Sequence, residues 1–397
     1  MSMSKNNQIP KRRFREFRDA PAWEQRKLRD IVDVCTGRDY KHLSEGDIPV
    51  YGTGGYMLSV SEALSYDKDA IGIGRKGTID KPYILNAPFW TVDTLFYAIP
   101  REKIDLNFAF DIFQNIDWKK KDESTGVPSL SKTAINEINV LVPQYDEQQA
   151  LGEFFNGIDH LITLHQRKLE KLRNLKRAYL SEMFPAEGER KPKRRFPGFT
   201  DAWEQRKFDE VFDCTIPSNT LSRAELNYES GSVRNIHYGD ILIKYGSVVD
   251  VKNDEIPFAT GKSSEDFKGA LLQDGDIIIA DTAEDEITGK ACEIGNSQGL
   301  DVVSGLHTMV CRPRNKMALG YLGYYLNSDA YHHQLLPLMQ GIKVLSLSRT
   351  NVQKTMVCYP QSKAEQQLIA DCFRNLDRLI TLHQREHNLL IQNFNIF

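Results

Sequence analysis

The sequence lacks any apolar run near the roughly 20 residues that a membrane-spanning helix needs. Its six cysteines form no C-x-x-C pair, which argues against a zinc ribbon or a redox dithiol. It also lacks excess positive charge, because 51 Lys and Arg face 54 Asp and Glu. The polar start has no apolar signal-peptide core. We therefore expect a cytoplasmic chain with no membrane partner, and we exclude nucleic-acid binding through overall basicity.

The chain contains two internal repeats, and its 397 residues are long enough for two or more domains. Residues 11–28 and 193–208 share K-R-R-F, then D-A and W-E-Q-R-K, with two extra residues in the first copy. Residues 143–167 and 360–385 share P-Q, E-Q-Q and L-I-T-L-H-Q-R in the same order. Each half therefore consists of a short arm, a body and a helical segment. The bodies, 29–142 and 209–359, do not resemble each other, which indicates one structural role performed twice and two different recognition roles.

The helical segments carry apolar positions at steps of four and three, which is typical of a heptad seam. Leu161 and Leu175 widen the first stripe. The first seam comprises Ile158, Ile162, His165, Leu169, Leu172, Lys176, Tyr179 and Met183. The second comprises Leu376, Ile380, His383, His387, Leu390, Phe394 and Phe397. Each apolar face must be buried, so we predict that the two helices pair, in an antiparallel sense. Ile158, Ile162, Leu169, Leu172, Leu376, Ile380 and Leu390 are the predicted interface residues.

Short apolar or alternating runs separated by Gly, Asp, Asn and Pro predict β-rich bodies, each with one helix, near 105–116 and 317–332. The overall prediction is an α+β chain. Gly72–Gly77 fits G-x-G-x-x-G, but a dinucleotide site needs a helix to follow, and Thr78–Pro82 does not begin one. We interpret the segment as a strand and turn that present Arg75 and Lys76.

The residues give no positive sign of catalysis. Asn86–Phe89 resembles the N-P-P-F/Y loop of amino-methyltransferases, but Ala87 interrupts it, so a loop between strands is the simpler interpretation. His383 and His387 lie one helical turn apart, yet a metalloprotease would need Glu where Gln384 stands. Because His165 and His383 occupy equivalent seam positions, we expect them to pack in the helix pair and predict no metal site.

Charge is distributed unevenly. Residues 11–29 carry eight Lys and Arg against three acids, and residues 163–195 carry eleven against four. Both bodies are acidic, so their few cations are notable, although a solvated surface lysine is the default interpretation of each. Base readout in DNA needs such donors on loops or helices. The candidate DNA-binding residues are Tyr51, Thr53, Arg75, Lys76, Lys119, Lys120, Arg234, His237, Lys244 and Lys343.

This layout resembles the DNA-specificity subunit of type I restriction–modification systems over nearly the whole chain. The most specific shared elements are the paired E-Q-Q…L-I-T-L-H-Q-R segments and the repeated W-E-Q-R-K arm. Tyr51–Gly55, Gly72–Gly77 and Gly275–Ile278 support the resemblance. It implies a non-catalytic subunit in which two target recognition domains each read half of a bipartite site. The conserved helices then form an antiparallel coiled coil that fixes the spacing.

The resemblance also implies the partners: double-stranded DNA, two copies of a DNA methyltransferase subunit, and a motor–nuclease subunit in the full restriction complex. It implies no cofactor on this chain, with S-adenosylmethionine, ATP and magnesium held by partner subunits. The expected domains are 1–142 (arm and first recognition domain), 143–192 (helical spacer and linker), 193–359 (arm and second recognition domain) and 360–397 (C-terminal helix). We expect this last helix to be shorter than the first, since 12 rather than 17 residues follow its H-Q-R.

Two alternatives remain open at this point. The first is a helical scaffold that carries two β-rich protein-binding modules. The second is a stand-alone methyltransferase, which would bind S-adenosylmethionine by itself. Salt-dependent binding to duplex DNA discriminates the leading hypothesis from the scaffold, because phosphate contacts make the logarithm of the binding constant fall with the logarithm of salt concentration.

Overall fold

The structure is a computed structural model that describes residues 9–122 and 124–394, the last two of these by their backbone only. The chain divides into two compact units, one formed by residues 1–164 with 387–397 and the other by residues 165–386. We call them unit 1 and unit 2. Phe397 of the predicted seam lies outside the described residues, as does the side chain of Phe394.

Unit 1 is built on a four-stranded and a three-stranded sheet. The four-stranded sheet has the order β2-β8-β5-β6, with β2 Val32–Thr36, β5 Ala70–Gly74, β6 Tyr83–Leu85 and β8 Leu95–Pro100. The other has the order β4-β3-β7, with β3 Ile48–Gly52, β4 Gly55–Val60 and β7 Trp90–Thr91. A separate antiparallel pair joins β1 Glu24–Lys27 to β9 Asn139–Val142.

The helices of unit 1 cover the four-stranded sheet. They are α1 Leu28–Ile31, α2 Leu106–Asn115, α3 Lys132–Asn136 and the first part of α4 Tyr145–Glu182. Short 3-10 turns occur at Arg15–Phe17 and Trp118–Lys121. Ile71 and Ile73 of β5 are fully buried against Phe108 and Phe113 of α2, in the largest apolar cluster of the unit. The predicted helix near 105–116 is confirmed.

Unit 2 contains a five-stranded sheet of order β11-β20-β16-β18-β14 and a four-stranded sheet of order β12-β15-β13-β19. The first comprises β11 Phe212–Asp213, β14 Val248–Asp250, β16 Ile277–Ala280, β18 Ala291–Gly295 and β20 Thr308–Pro313. The second comprises β12 Leu226–Asn227, β13 Val233–Ile236, β15 Phe258–Ala259 and β19 Asp301–Ser304. Two-stranded ladders pair β10 Glu204–Lys207 with β22 Met356–Tyr359, and β17 Thr282–Ala283 with β21 Leu345–Ser346.

The helices of unit 2 are mostly short. They are α5 Phe208–Val211, α6 Tyr238–Ile243, α7 Tyr321–Leu326, α8 Asp329–His332, α9 Arg349–Val352 and most of α10 Lys363–Phe394. Turns of 3-10 helix lie at Arg223–Glu225, Ser264–Phe267 and Leu336–Leu338. The helix expected over 317–332 is therefore two short ones, because Asn327 and Ser328 end α7 and begin α8.

The two long helices pack against each other within unit 2. His165 of α4 contacts His383 of α10, and Lys176 further along α4 contacts Asp377. The partner numbers fall as the α4 numbers rise, so the segments run antiparallel, as predicted. Among the predicted seam residues, Leu169 and Leu376 are 4% and 7% exposed.

The α+β prediction with two β-rich parts is confirmed. The coiled-coil geometry and the four domain boundaries stay predictions. In the part of the chain that the structure describes, no helix is both long enough and apolar enough to cross a membrane.

Candidate nucleic-acid interface

The first repeated sequence forms a buried junction between the arm and the long helix. In unit 1, the Arg13 guanidinium donates to both Glu147 carboxylate oxygens, at 2.7 and 2.5 Å. The Trp23 indole N–H donates to the same carboxylate at 3.2 Å. Glu147 is only 1% exposed, so its charge needs these partners. The hydrogen bonds that Arg13 donates to Glu147 raise the pKa of Arg13.

Unit 2 repeats this junction with the equivalent residues. Arg195 donates to the Glu365 oxygens at 2.6 and 2.9 Å, and Trp203 donates to Glu365 at 3.3 Å. Glu365 is 1% exposed and Trp203 is fully buried. The K-R-R-F, W-E-Q-R-K and E-Q-Q elements recur because each half of the chain builds the same arm–helix contact.

The glutamine after each of these glutamates ties the body to the helix. The Gln148 side chain accepts from the Asp105 N–H at 3.1 Å and donates to the Pro143 carbonyl at 3.0 Å. Gln366 does the same with Ala318 and Pro360, at 2.9 and 2.8 Å. Both bodies are thus anchored by one repeated device. The bodies take part through backbone groups, the N–H groups of Asp105 and Ala318, so their side chains are free to differ.

Body 1 contains a cleft that brings together three cations and three hydroxyl groups. Its volume is about 480 Å³. It is lined by Thr36, Arg75, Lys76, Phe96, Ser129, Leu130, Ser131 and Lys132. The Gly77 N–H donates to the Pro128 carbonyl at 2.9 Å, and the Leu130 N–H donates to the Arg75 carbonyl at 3.0 Å. These bonds hold the glycine turn against the 128–130 segment, which confirms the strand-and-turn interpretation of Gly72–Gly77.

The cations of this cleft are available to an anion. Among the described residues, the Arg75 guanidinium donates only to the Asp93 carbonyl, at 3.3 Å, and it lies 5.8 Å from the centre of the Phe96 ring. Lys76 and Lys132 are exposed and form no ion pair with any residue in 9–122 or 124–394. Lysine and arginine beside hydroxyl donors are the usual partners of nucleic-acid phosphates. Lys132 was not a sequence candidate, since only the fold brings it beside Arg75.

The other predicted cations of body 1 already have carboxylate partners. Lys119 lies 2.8 Å from Asp80, and Lys120 lies 2.9 Å from Asp117. The hydrogen bond from Lys119 lowers the pKa of Asp80, and that from Lys120 lowers the pKa of Asp117. Both lysines are largely exposed, so these are weak surface pairs that a phosphate would have to displace.

Tyr51 and Thr53 lie at the β3–β4 hairpin. The Tyr51 ring packs between Tyr56 and Tyr83, at centroid distances of 6.4 and 6.1 Å, and is half-buried. Tyr56 itself is 63% exposed and was not a sequence candidate. The hairpin therefore presents the Tyr56 ring to solvent, with Tyr51 as its support and Thr53 half-buried at the turn.

In body 2, the predicted residues Arg234 and Lys244 contact neighbouring side chains. The Arg234 guanidinium lies 5.1 Å from the Phe258 ring centre. Lys244 lies 2.7 Å from Glu255 and 4.7 Å from the Tyr228 ring centre.

His237 is 6% exposed, and its Nδ1 accepts from the Gly239 N–H at 3.2 Å, at the start of α6. Burial lowers the pKa of His237. This histidine thus has a capping role in the described structure.

Lys343 lies in a loop that projects apolar side chains into solvent. Its neighbours Ile342 and Val344 are 100% and 51% exposed. Gly341 has a φ of +131°, which favours glycine, and an added Cβ would meet the Val344 carbonyl. Body 1 has a counterpart, because Val127 precedes L-S-K-T as Val344 precedes L-S-R-T, and Val127 is 67% exposed.

The long helices expose a second set of leucines besides the predicted seam. Leu161 and its repeat equivalent Leu379 are 46% and 42% exposed, and Leu164 and Leu382 are 46% and 43% exposed. The predicted interface residues Ile158, Ile162, Leu172, Ile380 and Leu390 are half-buried. Each helix therefore has a covered apolar face and an uncovered one, and the repeat places the uncovered leucines at the same positions.

Comparisons with known proteins agree on one family. The family model for the type I restriction modification DNA specificity domain matches residues 21–174 and 200–392. A type I restriction enzyme MjaVIII specificity subunit from Methanocaldococcus jannaschii is 22% identical over 278 residues. The match covers 68% of this chain and 62% of that relative, so this chain spans less than two thirds of the relative's length.

A solved structure shares the fold. It is the crystal structure of a type I restriction–modification system S subunit from M. genitalium, which covers 94% of each chain with a TM-score of 0.60. The two sequences are 13% identical, so this likeness concerns the fold alone. Together with the family match, it confirms the resemblance that the repeated segments indicated.

Proposed function

Because the chain belongs to the family of type I restriction modification DNA specificity domains, we propose that it reads a bipartite double-stranded DNA sequence. The carrying observation is the repeated Arg–Glu–Trp junction beneath two bodies that differ in sheet order and loops. The same junction in both halves, attached to two bodies with different surfaces, suits a protein that recognises two different half-sites. No observation favours the scaffold or methyltransferase alternatives.

The body 1 cleft is the proposed phosphate contact of the first half-site. Arg75, Lys76 and Lys132 supply positive charge there, and Ser129 and Ser131 supply hydroxyl groups. Phosphate contacts set the position of a protein on the duplex but carry no base information. Base readout then falls to other loops of body 1, where the β3–β4 hairpin exposes Tyr56 and the 125–128 loop exposes Val127.

The exposed leucines of the long helices are the proposed docking surface for partner subunits. Leu161 and Leu164 on α4 recur as Leu379 and Leu382 on α10. Two equivalent surfaces suit two copies of one partner, which we propose is the DNA methyltransferase subunit, with a motor–nuclease subunit completing the restriction complex. S-adenosylmethionine, ATP and magnesium would bind to those partners and not to this chain, which we propose is non-catalytic. Because its proposed ligand is cellular DNA, we place its action in the cytoplasm.

The test is methylation mapping in a host that carries this chain and its methyltransferase partner. We expect one split motif that disappears when this chain is deleted. Replacing residues 29–142 with the corresponding body of another member should change one half of the motif and leave the other half and the spacing unchanged. A motif that does not depend on this chain, or a swap that changes both halves, would contradict the proposal.

A further inference from the structure

Three potential metal ligands converge where the two repeated H-Q-R segments meet in unit 2. His165 Nδ1 lies 3.3 Å from His383 Nδ1. Glu386 Oε2 lies 3.4 Å from His165 Nδ1 and 3.1 Å from His383 Nδ1. The three atoms thus form a nearly equilateral triangle whose corners come from two helices.

The size of this triangle matches one face of a zinc coordination tetrahedron. Zinc binds histidine nitrogen and carboxylate oxygen at about 2.0–2.2 Å in tetrahedral geometry, which places neighbouring ligand atoms about 3.3–3.6 Å apart. The sides of 3.1, 3.3 and 3.4 Å lie within a few tenths of an ångström of that range. A metal ion therefore needs only small side-chain adjustments to bind all three atoms.

The two facing ring nitrogens repel each other when both are protonated or both are unprotonated. Two unprotonated Nδ1 atoms would point lone pairs at each other, and two protonated ones would point N–H groups at each other. A single proton can form a hydrogen bond between two of the three atoms, but the third atom then has no hydrogen-bond donor within the triangle. A divalent cation above the centre of the triangle attracts all three atoms.

The two histidines are more buried than the glutamate, as expected for a site that an ion enters from solvent. The side chains of His165 and His383 are 22% and 14% exposed, whereas that of Glu386 is 53% exposed. The imidazoles are thus largely shielded, and the carboxylate faces the side from which an ion and a coordinating water can arrive. Some catalytic zinc sites likewise combine two histidines, one carboxylate and a water ligand.

We propose that His165, His383 and Glu386 bind one zinc ion, with water as the fourth ligand, and that the ion cross-links the two antiparallel helices. Imidazole and carboxylate ligands in a tetrahedral arrangement favour zinc over magnesium or calcium. The site lies at a position of the L-I-T-L-H-Q-R repeat where a residue meets its own counterpart, His165 with His383. An ion there would fix the register of the helices. The inference does not depend on DNA binding.

The test is a titration of the full, tag-free chain with Co²⁺ and then Zn²⁺ after treatment with a chelator. We expect one equivalent of Co²⁺ to produce the intense visible bands of a tetrahedral complex, and Zn²⁺ to displace it. His165→Gln and His383→Gln should each weaken binding more than 10-fold, and Glu386→Gln should weaken it to a smaller degree. His160→Gln, at an exposed histidine five residues before His165 on α4, is the matched control and should bind as the wild type does.

A measurement on the wild type alone guards against misfolded variants. One equivalent of Zn²⁺ should protect His165 and His383 from diethylpyrocarbonate, as read by peptide mass spectrometry, and should leave His160 reactive. The proposal is overturned by weak octahedral Co²⁺ bands, by a stoichiometry that does not saturate at one, or by equal protection of all three histidines. Unchanged affinity in folded His383→Gln would overturn it as well.

Discussion

Lys176 Nζ lies 2.5 Å from Asp377 Oδ1 in unit 2, and this ion pair joins the two long helices. The other Asp377 oxygen accepts a hydrogen bond from the Tyr324 hydroxyl at 2.9 Å. The Lys176 ammonium also lies 5.7 Å from the centre of the Tyr324 ring. A half-buried carboxylate is thus satisfied by one cation and one neutral donor.

In unit 1, the sequence positions equivalent to Lys176 and Tyr324 carry neither an ammonium group nor a hydroxyl group. The repeat that aligns His165 with His383 aligns Asp377 with Asp159, and it aligns Lys176 with Phe394. Gln148 contacts Asp105 as Gln366 contacts Ala318, so Asp105 and Ala318 are equivalent positions. Asp111 and Tyr324 each lie six residues further along the chain and are therefore equivalent as well. Unit 1 therefore has two carboxyl groups where unit 2 has a carboxylate, a hydroxyl and an ammonium. Burial, with Asp159 and Asp105 nearby, raises the pKa of Asp111 to about 8, and burial raises the pKa of Asp159.

Lys176→Met should destabilise unit 2, because it leaves the half-buried Asp377 carboxylate with only the Tyr324 hydroxyl as partner. We expect a loss of about 1–2 kcal/mol in the free energy of unfolding, somewhat less than is usual for a hydrogen bond to a charged group, because both side chains are partly exposed. Urea denaturation followed by circular dichroism measures it. Lys171→Met, which removes an exposed charge from the same helix, is the control and should change stability by less than about 0.5 kcal/mol. Equal effects of the two changes would show that the ion pair contributes nothing.

Asp111→Asn should remove a pH dependence from unit 1. The folded-state pKa of Asp111 is raised from 3.8 to about 8, so the folded protein holds a proton that the unfolded chain releases. The resulting stability is fully present below pH 3.8 and is lost as the pH rises through about 8. The Oδ2 atom of Asp111 is buried and has no hydrogen-bond partner among the described residues. The amide of the Asn variant carries no charge, so burying it incurs no cost of desolvating a charge.

The advantage of Asp111→Asn over the wild type should therefore grow as the pH rises from 3.8 to about 8 and then level off at about 1–2 kcal/mol, after allowance for partial solvent exposure. Urea midpoints at several pH values measure it. Asp67→Asn, at an exposed carboxylate, is the control and should run parallel to the wild type. An Asp111→Asn curve parallel to the wild type would mean that Asp111 is ionised in the folded protein at neutral pH.

Glu365→Gln should be among the most destabilising single changes in unit 2. It removes the carboxylate that accepts from Arg195 and Trp203 at a site that is 1% exposed. Breaking a buried ion pair by removing one partner costs about 3–5 kcal/mol, whereas replacing both partners with apolar groups is often near neutral. The double variant Arg195→Met with Glu365→Leu should consequently be more stable than Glu365→Gln alone. The reverse order in guanidinium denaturation would contradict this account of the junction.

The repeats made the scaffold predictable from sequence, since the same Arg, Trp and Glu recur in order and build the same junction in both units. The Gly72–Gly77 turn was predictable because no helix could follow it. The site chemistry was less accessible. His165 joins His383 and Glu386 only through antiparallel packing of helix segments that are more than 200 residues apart in sequence. Lys132 joins Arg75 only through pairing of the glycine turn with the 128–130 segment. The ion pair of Lys119 with Asp80 likewise has no local signal.

Lys76→Ala and Lys132→Ala should each weaken DNA binding by the assembled methyltransferase complex in a way that depends on salt and not on sequence. If each lysine neutralises one phosphate, the slope of log binding constant against log salt becomes shallower by about 0.9 per variant. Lys119→Ala is the matched control, because its ammonium is already paired with Asp80 at 2.8 Å and should change the slope less. The measurement is a fluorescence anisotropy titration of duplex DNA at several salt concentrations. If Lys119→Ala alters the slope as much as Lys76→Ala, the cleft is not a distinct phosphate site and the acidic body contacts DNA through its general surface.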